Sequence, residues 1–197
     1  MFISAFCAAG CGRPALSNST LCAIHSSDPI SESKRLADMI STQRLVKNIS
    51  AQELHFSGED FSHRHFYGCN FTGASFSMCL FTGTVMRLCF FDFAALSFCD
   101  FSNTDLQFMS LAGSTINGCT FEGSELVNIN FGGSNINDTT FNKTNLYNSR
   151  FVSASIKNSD FIDCNLKRTI FIKSQLEGIN FKSSNTREAI FEMEEYK

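Results

Sequence analysis

At 197 residues the chain has the length of one domain with a small appendage, and a net charge of −3 is too modest for a polyanion-binding surface or a disordered acidic tail. No apolar run approaches the roughly 20 residues that a membrane-spanning helix needs, so no membrane partner is expected. The start, Met1 to Cys11, carries a lipoprotein-like box at Ala8-Ala9-Gly10-Cys11 but lacks a basic leader and a long apolar stretch; cytoplasmic residence is the expectation.

Nine cysteines suggest a disulfide framework until they are sorted by position. Cys69, Cys79, Cys89, Cys99, Cys119 and Cys164 fall in register with the repeat described below, where free thiols serve as small apolar fillers. Cys7, Cys11 and Cys22 remain, and His25 follows the last of them. The order is Cys-x3-Cys, a ten-residue loop, then Cys-x2-His. Two short-spaced pairs of soft donors are what a tetrahedral structural zinc site requires, each pair chelating from one turn. Residues 1–27 are therefore expected to form a zinc-binding module, closed by four protein ligands and so not catalytic. The plainer alternative is free thiols in a tail, but so short a segment has too little core to fold without a metal. Residues 1–55 hold five basic residues against four acids, which gives no footprint for direct nucleic-acid binding.

Asp28 and Pro29 have the chemistry of an N-cap and a first helical position. From Ile30 to about Ile49, Leu36, Met39, Ile40, Val46 and Ile49 recur at helical spacing, with Lys34, Arg35, Asp38, Arg44 and Lys47 on the other face. Residues 28–52 thus predict an amphipathic helix that caps the first coil of the region that follows, with partner binding as the sharper alternative.

Residues 53–193 repeat every five positions without an insertion, and 194–197 form a short tail. Of the 28 centres from Phe56 to Phe191, sixteen are Phe, eleven are Leu, Ile or Met, and only Thr186 is polar. Two positions before each centre the residue is usually small; two positions after, it is most often Gly or Asn. A short extended piece followed by a tight corner fits five residues, whereas a helix needs 3.6 and a plain strand 2.0. Residues twenty apart are equivalent, so four units close one coil, and about seven coils predict an all-β solenoid roughly 33 Å long. Arg64 and Glu59 at inward positions predict an irregular first coil. Met109, Ile129 and Ile179 predict local bulges, and Thr186 a weakening last coil.

Units such as Cys69-Asn70-Phe71-Thr72-Gly73 and Ser124-Glu125-Leu126-Val127-Asn128 resemble the pentapeptide-repeat family. The resemblance implies a right-handed quadrilateral β-helix. It implies no single activity, since one fold hosts many.

A filled rod offers no concave catalytic pocket, and its Ser, Thr and Asp residues fall at outward positions, so no enzyme is expected. His55, His63 and His65 read as solvated surface residues. Four Phe lie outside both the centres and the N-terminal tail (Phe2, Phe6): Phe90, Phe93, Phe98 and Phe108, with Val85 and Leu88 beside them. These six predict an interaction surface, covered either by the N-terminal arm or by a protein partner. The expected function is a non-enzymatic protein-interaction scaffold. The alternative comes from the gyrase-protecting subgroup of the resembling family, whose rods mimic duplex DNA, with a topoisomerase as partner. Six acids and no cation between Leu88 and Thr140 favour that alternative, and eight cations between Asn142 and Arg187 oppose it. An apolar strip of Ile170, Ile172, Ile190 and Met193 near an uncapped last coil predicts a tail-to-tail homodimer.

Overall fold

The five-residue rhythm sets a parallel ladder in which residue i pairs with residue i+20, as Leu45 does with His65 and Asn135 with Ser155. The computed structural model describes residues 5–192; Phe2, Met193 and the tail 194–197 lie outside them. Twelve three-residue strands, β1 to β12, form two sheets. One sheet stacks β1 (Leu45–Lys47), β3 (His65–Tyr67), β5 (Val85–Arg87), β7 (Asp105–Gln107) and β9 (Glu125–Val127), and bridges at Asn145 and Asn165 continue it. The other stacks β2 (His55–Ser57), β4 (Ser75–Ser77), β6 (Ala95–Ser97), β8 (Thr115–Asn117), β10 (Asn135–Asn137), β11 (Ser155–Lys157) and β12 (Gln175–Glu177). Two further sides are ladders of single bridges. One runs Ser50, Asn70, Phe90, Ser110, Asn130, Arg150, Ile170, Ile190 and is termed the Phe90 face. The other runs Asp60, Leu80, Asp100, Thr120, Thr140, Asp160, Asn180 and is termed the Asp100 face. Along the chain these two are separated by two corners, so they lie on opposite sides of the rod.

The centres fill the interior. Phe81, Phe101, Phe121, Phe141 and Phe161 stack in one column with ring centroids 4.5 to 5.1 Å apart. Phe131, Phe151, Phe171 and Phe191 stack in the opposite column, and neighbouring columns meet edge to face, as Phe131 and Phe141 do at 6.0 Å. Each buried ring contributes about 1.5–3 kcal/mol before entropy. The small inward positions complete the seal: the Ser124, Thr144, Ser149 and Thr169 hydroxyls donate to the Phe101, Phe121, Leu126 and Leu146 carbonyls of the preceding coil. These buried hydroxyls are thereby satisfied, whereas Thr84 Oγ1, at the same inward position, has no hydrogen-bond partner among the described residues.

The helix α1 spans Pro29–Ser41 and is shorter than its apolar spacing suggests. Val46 is already a five-residue centre in β1, and Ile49 lies beside Ala51 in the same coil, so the helical and five-residue periods coincide between Leu36 and Val46. The boundary at 52 consequently moves: the solenoid starts near Arg44, whose carbonyl accepts the His65 N–H at 2.8 Å. Leu36, Ala37 and Ile40 join the solenoid core over the open first coil. Two side chains replace the missing preceding coil. Ser33 Oγ accepts the His55 N–H at 3.2 Å, and Ser17 Oγ accepts the Ser50 N–H at 2.7 Å. Arg64, irregular by the repeat, reaches up to the Ser41 carbonyl at 2.7 Å and closes the helix C-terminus.

The ladder runs on past Met109 and Ile129, which are buried. The bridges from Ser110 to Asn130 and from Asn130 to Arg150 keep the twenty-residue register, so the bulges expected at these two positions do not form. The last coil does loosen: Thr186–Glu188 form a 3-10 turn, and Phe181 and Phe191 are half-buried.

Candidate functional site

Two constellations fall outside what the repeat needs. The first is the Cys/His cluster. Phe6 and Pro14 bridge antiparallel, the Cys7 N–H donates to Arg13 at 2.8 Å, and Gly10 (φ 73°) and Gly12 (φ 75°) take left-handed corners that a side chain would resist. This loop brings Cys11 back beside Cys7. The second pair rides on one turn, where the His25 and Ser26 N–H groups both donate to the Cys22 carbonyl. His25 Nδ1 lies 3.5 Å from the Sγ atoms of both Cys7 and Cys22, and the Cys11 and Cys22 sulfurs are 3.8 Å apart. All four donor atoms lie within 4.8 Å of one another.

These distances can be compared with a metal polyhedron. Zn–S bonds of about 2.3 Å and Zn–N bonds of about 2.0 Å give tetrahedral S–S edges of about 3.8 Å and S–N edges of about 3.5 Å. The cluster matches in donor type and number, and the three shortest separations match these edges, so it can hold a metal ion, with Nδ1 as the imidazole ligand. The Cys7 thiol is lowered to about 6, first by a hydrogen bond from the Cys22 backbone; Cys22 is raised, first by desolvation.

The cluster is tied to the rod. The Ser17 N–H donates to the Ser50 carbonyl at 2.9 Å, Ser50 Oγ to the Ala15 carbonyl at 2.6 Å, and Arg35 to the Ser17 carbonyl at 2.7 Å. Arg13 meets Glu53 at 3.6 Å. A cleft of about 370 Å³ separates Arg13, Pro14 and Cys22 from the rod's Gln52, Gly73 and Phe93.

The second constellation is aromatic. Phe93, Phe98 and Phe108 occupy corners two residues after a centre, with φ of 57°, 53° and 55°. Gly is the commonest residue at such corners, with Asn, Asp, Ser and Lys among the others, because a left-handed conformation costs residues other than Gly about 1–2 kcal/mol. These rings are also 72%, 64% and 57% exposed, and Leu88 at 59% shares both properties. The residues carry strain and exposure together. Glycine one coil further on makes room for two of them: a Cβ on Gly113 would come within 2.6 Å of the Phe93 ring, and one on Gly118 within 2.6 Å of Phe98.

The six predicted surface residues do not form one patch. Leu88, Phe93 and Phe108 flank the Phe90 face, with half-buried Phe90 at its centre. Half-buried Val85 sits on the adjacent sheet in β5. Phe98 occupies the far corner, beside Met78 in its own column. The arm reaches the rod near Ser50 and Glu53 and leaves the three corner rings exposed. Sequence reasoning missed the capping roles of Ser17 and Ser33. Their only signal is a hydroxyl near the start of a region of unpaired backbone.

A family profile described as a pentapeptide repeat region matches residues 114–191, and one described as pentapeptide repeats (8 copies) matches 53–87 and 89–126. No curated protein matches the sequence. Among solved structures, HetL, a pentapeptide-repeat protein involved in heterocyst differentiation regulation in the cyanobacterium Nostoc sp. strain PCC 7120, is similar at 13% identity with TM-score 0.38. The match covers 80% of this chain and 95% of that one. Trypsin-treated QnrB1, a plasmid-mediated fluoroquinolone resistance protein, is similar at 22% identity over 70% and 77% of the two chains, with TM-score 0.28. A pentapeptide-repeat protein of the cyanobacterium Cyanothece 51142, Rfr23, is similar at 12% identity over 80% and 98%, with TM-score 0.26.

Proposed function

The chain belongs to the pentapeptide-repeat family, and on that footing we propose that it is a non-enzymatic scaffold whose rod presents exposed aromatic corners to a protein partner. The observation that carries the reading is the placing of Phe93, Phe98 and Phe108 at left-handed corners, where Gly or Asn would serve the fold better. Residues that oppose their own fold are expected where a surface has another use. The buried thiols beside a base, Cys7 and Cys22 at 3.5 Å from His25 Nδ1, belong to the four-donor cluster, and the interior of the rod is filled by rings.

The N-terminal cluster supplies a structural zinc site in this reading, with Cys7, Cys11, Cys22 and His25 as ligands and no open position for a substrate. Bound there, the ion would lock residues 7–25 into one body against the first coil and fix the cleft beside Phe93. The test of the scaffold is capture from an extract of the native host on immobilised full-length protein. A specific prey protein is expected, and Phe93→Ser with Phe108→Ser should release it. Retention of that prey at the parental level would sink the reading.

A second reading has one observation in its favour. The Asp100 face and its corners hold seven acids, from Glu59 to Asp163, against Lys143 and Lys182. Such a face suits a rod that imitates duplex DNA toward a topoisomerase. A supercoiling assay with purified gyrase separates the two: neither inhibition nor protection at high protein excess ends the DNA-mimic reading.

A further inference from the structure

The rod's charges separate across it as well as along it. From Phe108 to Lys173 the Phe90 face and its two corners carry Arg150, Arg168 and Lys173 and no acid, while the acids gather on the opposite side. Most cations elsewhere on the far section are paired, Lys143 with Glu122, Lys157 with Glu177 and Lys167 with Glu188. Arg168 donates to the Tyr147 hydroxyl at 3.2 Å. Arg150 and Lys173 have no side-chain partner among the described residues, although acids lie within a few coils of them. Phe93 and Lys173 stand in one corner column; Phe108 and Arg168 stand in the other.

Between the aromatic and cationic ends lies a cavity of about 280 Å³ bounded by Phe108, Asn128, Ile129, Asn130, Asn148 and Arg150. Asn148 is held by Asn128 at 2.6 Å, so the cavity wall is fixed. The floor beyond Phe90 is made of small residues, Ser110, Ala112, Gly113 and Gly132, and of half-buried Asp92, whose carboxylate accepts from the Ser110 hydroxyl and from the Ala112 N–H at 3.0 Å; Phe93 and Phe108 rise at the two corners. The result is an axial trough with aromatic corners around the hydrogen-bonded Asp92 at the end near the Cys/His cluster, and with Arg150, Arg168 and Lys173 around Val152, Ile170 and Ile172 at the other.

We propose that this trough binds an extended segment of a protein partner, with bulky apolar residues followed about four to six positions later by clustered carboxylates. The proposal rests on the scaffold reading and names the chemistry of its partner. The spacing comes from the coil rise. Phe108 and Arg168 are three coils apart, Phe93 and Lys173 four, or about 14 to 19 Å at ~4.8 Å per coil; an extended peptide covers that in about four to six residues at ~3.3 Å each. The aromatic end supplies most of the affinity, and the cations supply orientation and discrimination. Three cations on a chain of net charge −3 are too few for a single-stranded nucleic acid, whose binding scales with the phosphates neutralised.

The test is fluorescence anisotropy on the full-length protein at low salt. The probes are a labelled peptide Leu-Phe-Gly-Ser-Gly-Ser-Glu-Glu-Glu, its counterpart with three Lys for the three Glu, and a ten-nucleotide single strand. The Glu peptide is expected to bind at least about tenfold tighter than the Lys peptide, and Arg150→Glu with Lys173→Glu to abolish or invert that preference. Phe93→Gly with Phe108→Asn, residues native to neighbouring corners, should weaken both peptides. Equal binding of the two peptides, or a preference that survives charge reversal, overturns the inference. So does tighter binding of the oligonucleotide. If only the aromatic variant weakens binding, the acidic-segment inference falls while the scaffold reading stands; if neither variant matters, both fall.

Discussion

Residues 5–28 and the rod beyond Arg44 reach order by opposite means. The rod spreads its stability over many equivalent layers, each sealing four apolar centres and the small inward residues beside them against the next. The arm has few buried apolar side chains, Ala15, Leu16 and Ala23 besides two of its cysteines, and depends on four donors that meet at one point. Redundancy makes the rod tolerant at any one layer but anonymous, because repeating a layer adds no address. Specificity has to come from departures: four donors at one end, and aromatic rings on corners that favour glycine.

Four measurements break or sharpen that contrast. The largest effect is expected from metal removal. A strong chelator, or Cys22→Ser, should unfold residues 7–25 and leave the β-sheet circular dichroism of the rod intact, since structural zinc contributes on the order of 10–16 kcal/mol to small modules at neutral pH. Metal analysis of the untreated protein should find about one zinc per chain; a metal-free protein with an ordered arm contradicts the contrast at its root. Next comes Phe131→Ala, in the middle of a stack at 4.7 Å from Phe151. It should cost about 3–5 kcal/mol in urea unfolding and leave zinc content unchanged. A smaller loss, about 1–3 kcal/mol, is expected for Ser17→Ala, which strips the Ser50 N–H of its acceptor at the seam between arm and rod. Hydrogen exchange should show that loss at Ser50 and not at the far coils. The smallest change is expected at the corners, where Phe93→Gly relieves about 1–2 kcal/mol of backbone strain and forfeits the ring's contact over Gly113.

The sequence made the rod legible because its signal is periodic and every layer repeats it. The same strictness identified Cys7, Cys11, Cys22 and His25 by leaving them over. Where the reading slipped, two periods overlapped. Leu36, Ile40 and Val46 satisfy a helical stripe, but Val46 also begins the series of centres, and backbone pairing to Phe66 decides for the strand. The arm's attachment was not legible, because single hydroxyl-to-amide bonds such as Ser17 to Ser50 leave no pattern. The charge pattern was read along the axis as an acidic middle and a basic end. Its separation across the rod appears only when positions are grouped by coil, which puts Arg150 and Lys173 together and opposite Asp100 and Asp160. The aromatic cluster likewise split, because Val85, Phe93 and Phe98 are close in the chain but lie on a sheet and two different corners.

The most direct measurement is the urea unfolding free energy of a triple variant, Phe93→Gly, Phe98→Gly and Phe108→Asn, beside the parent. If the three rings exist for a partner, the variant should match or exceed the parent, because three strained corners gain residues suited to them. A loss of more than about 2 kcal/mol, the scale of burying one large side chain, would make the rings part of what holds the rod together and would contradict their assignment to binding.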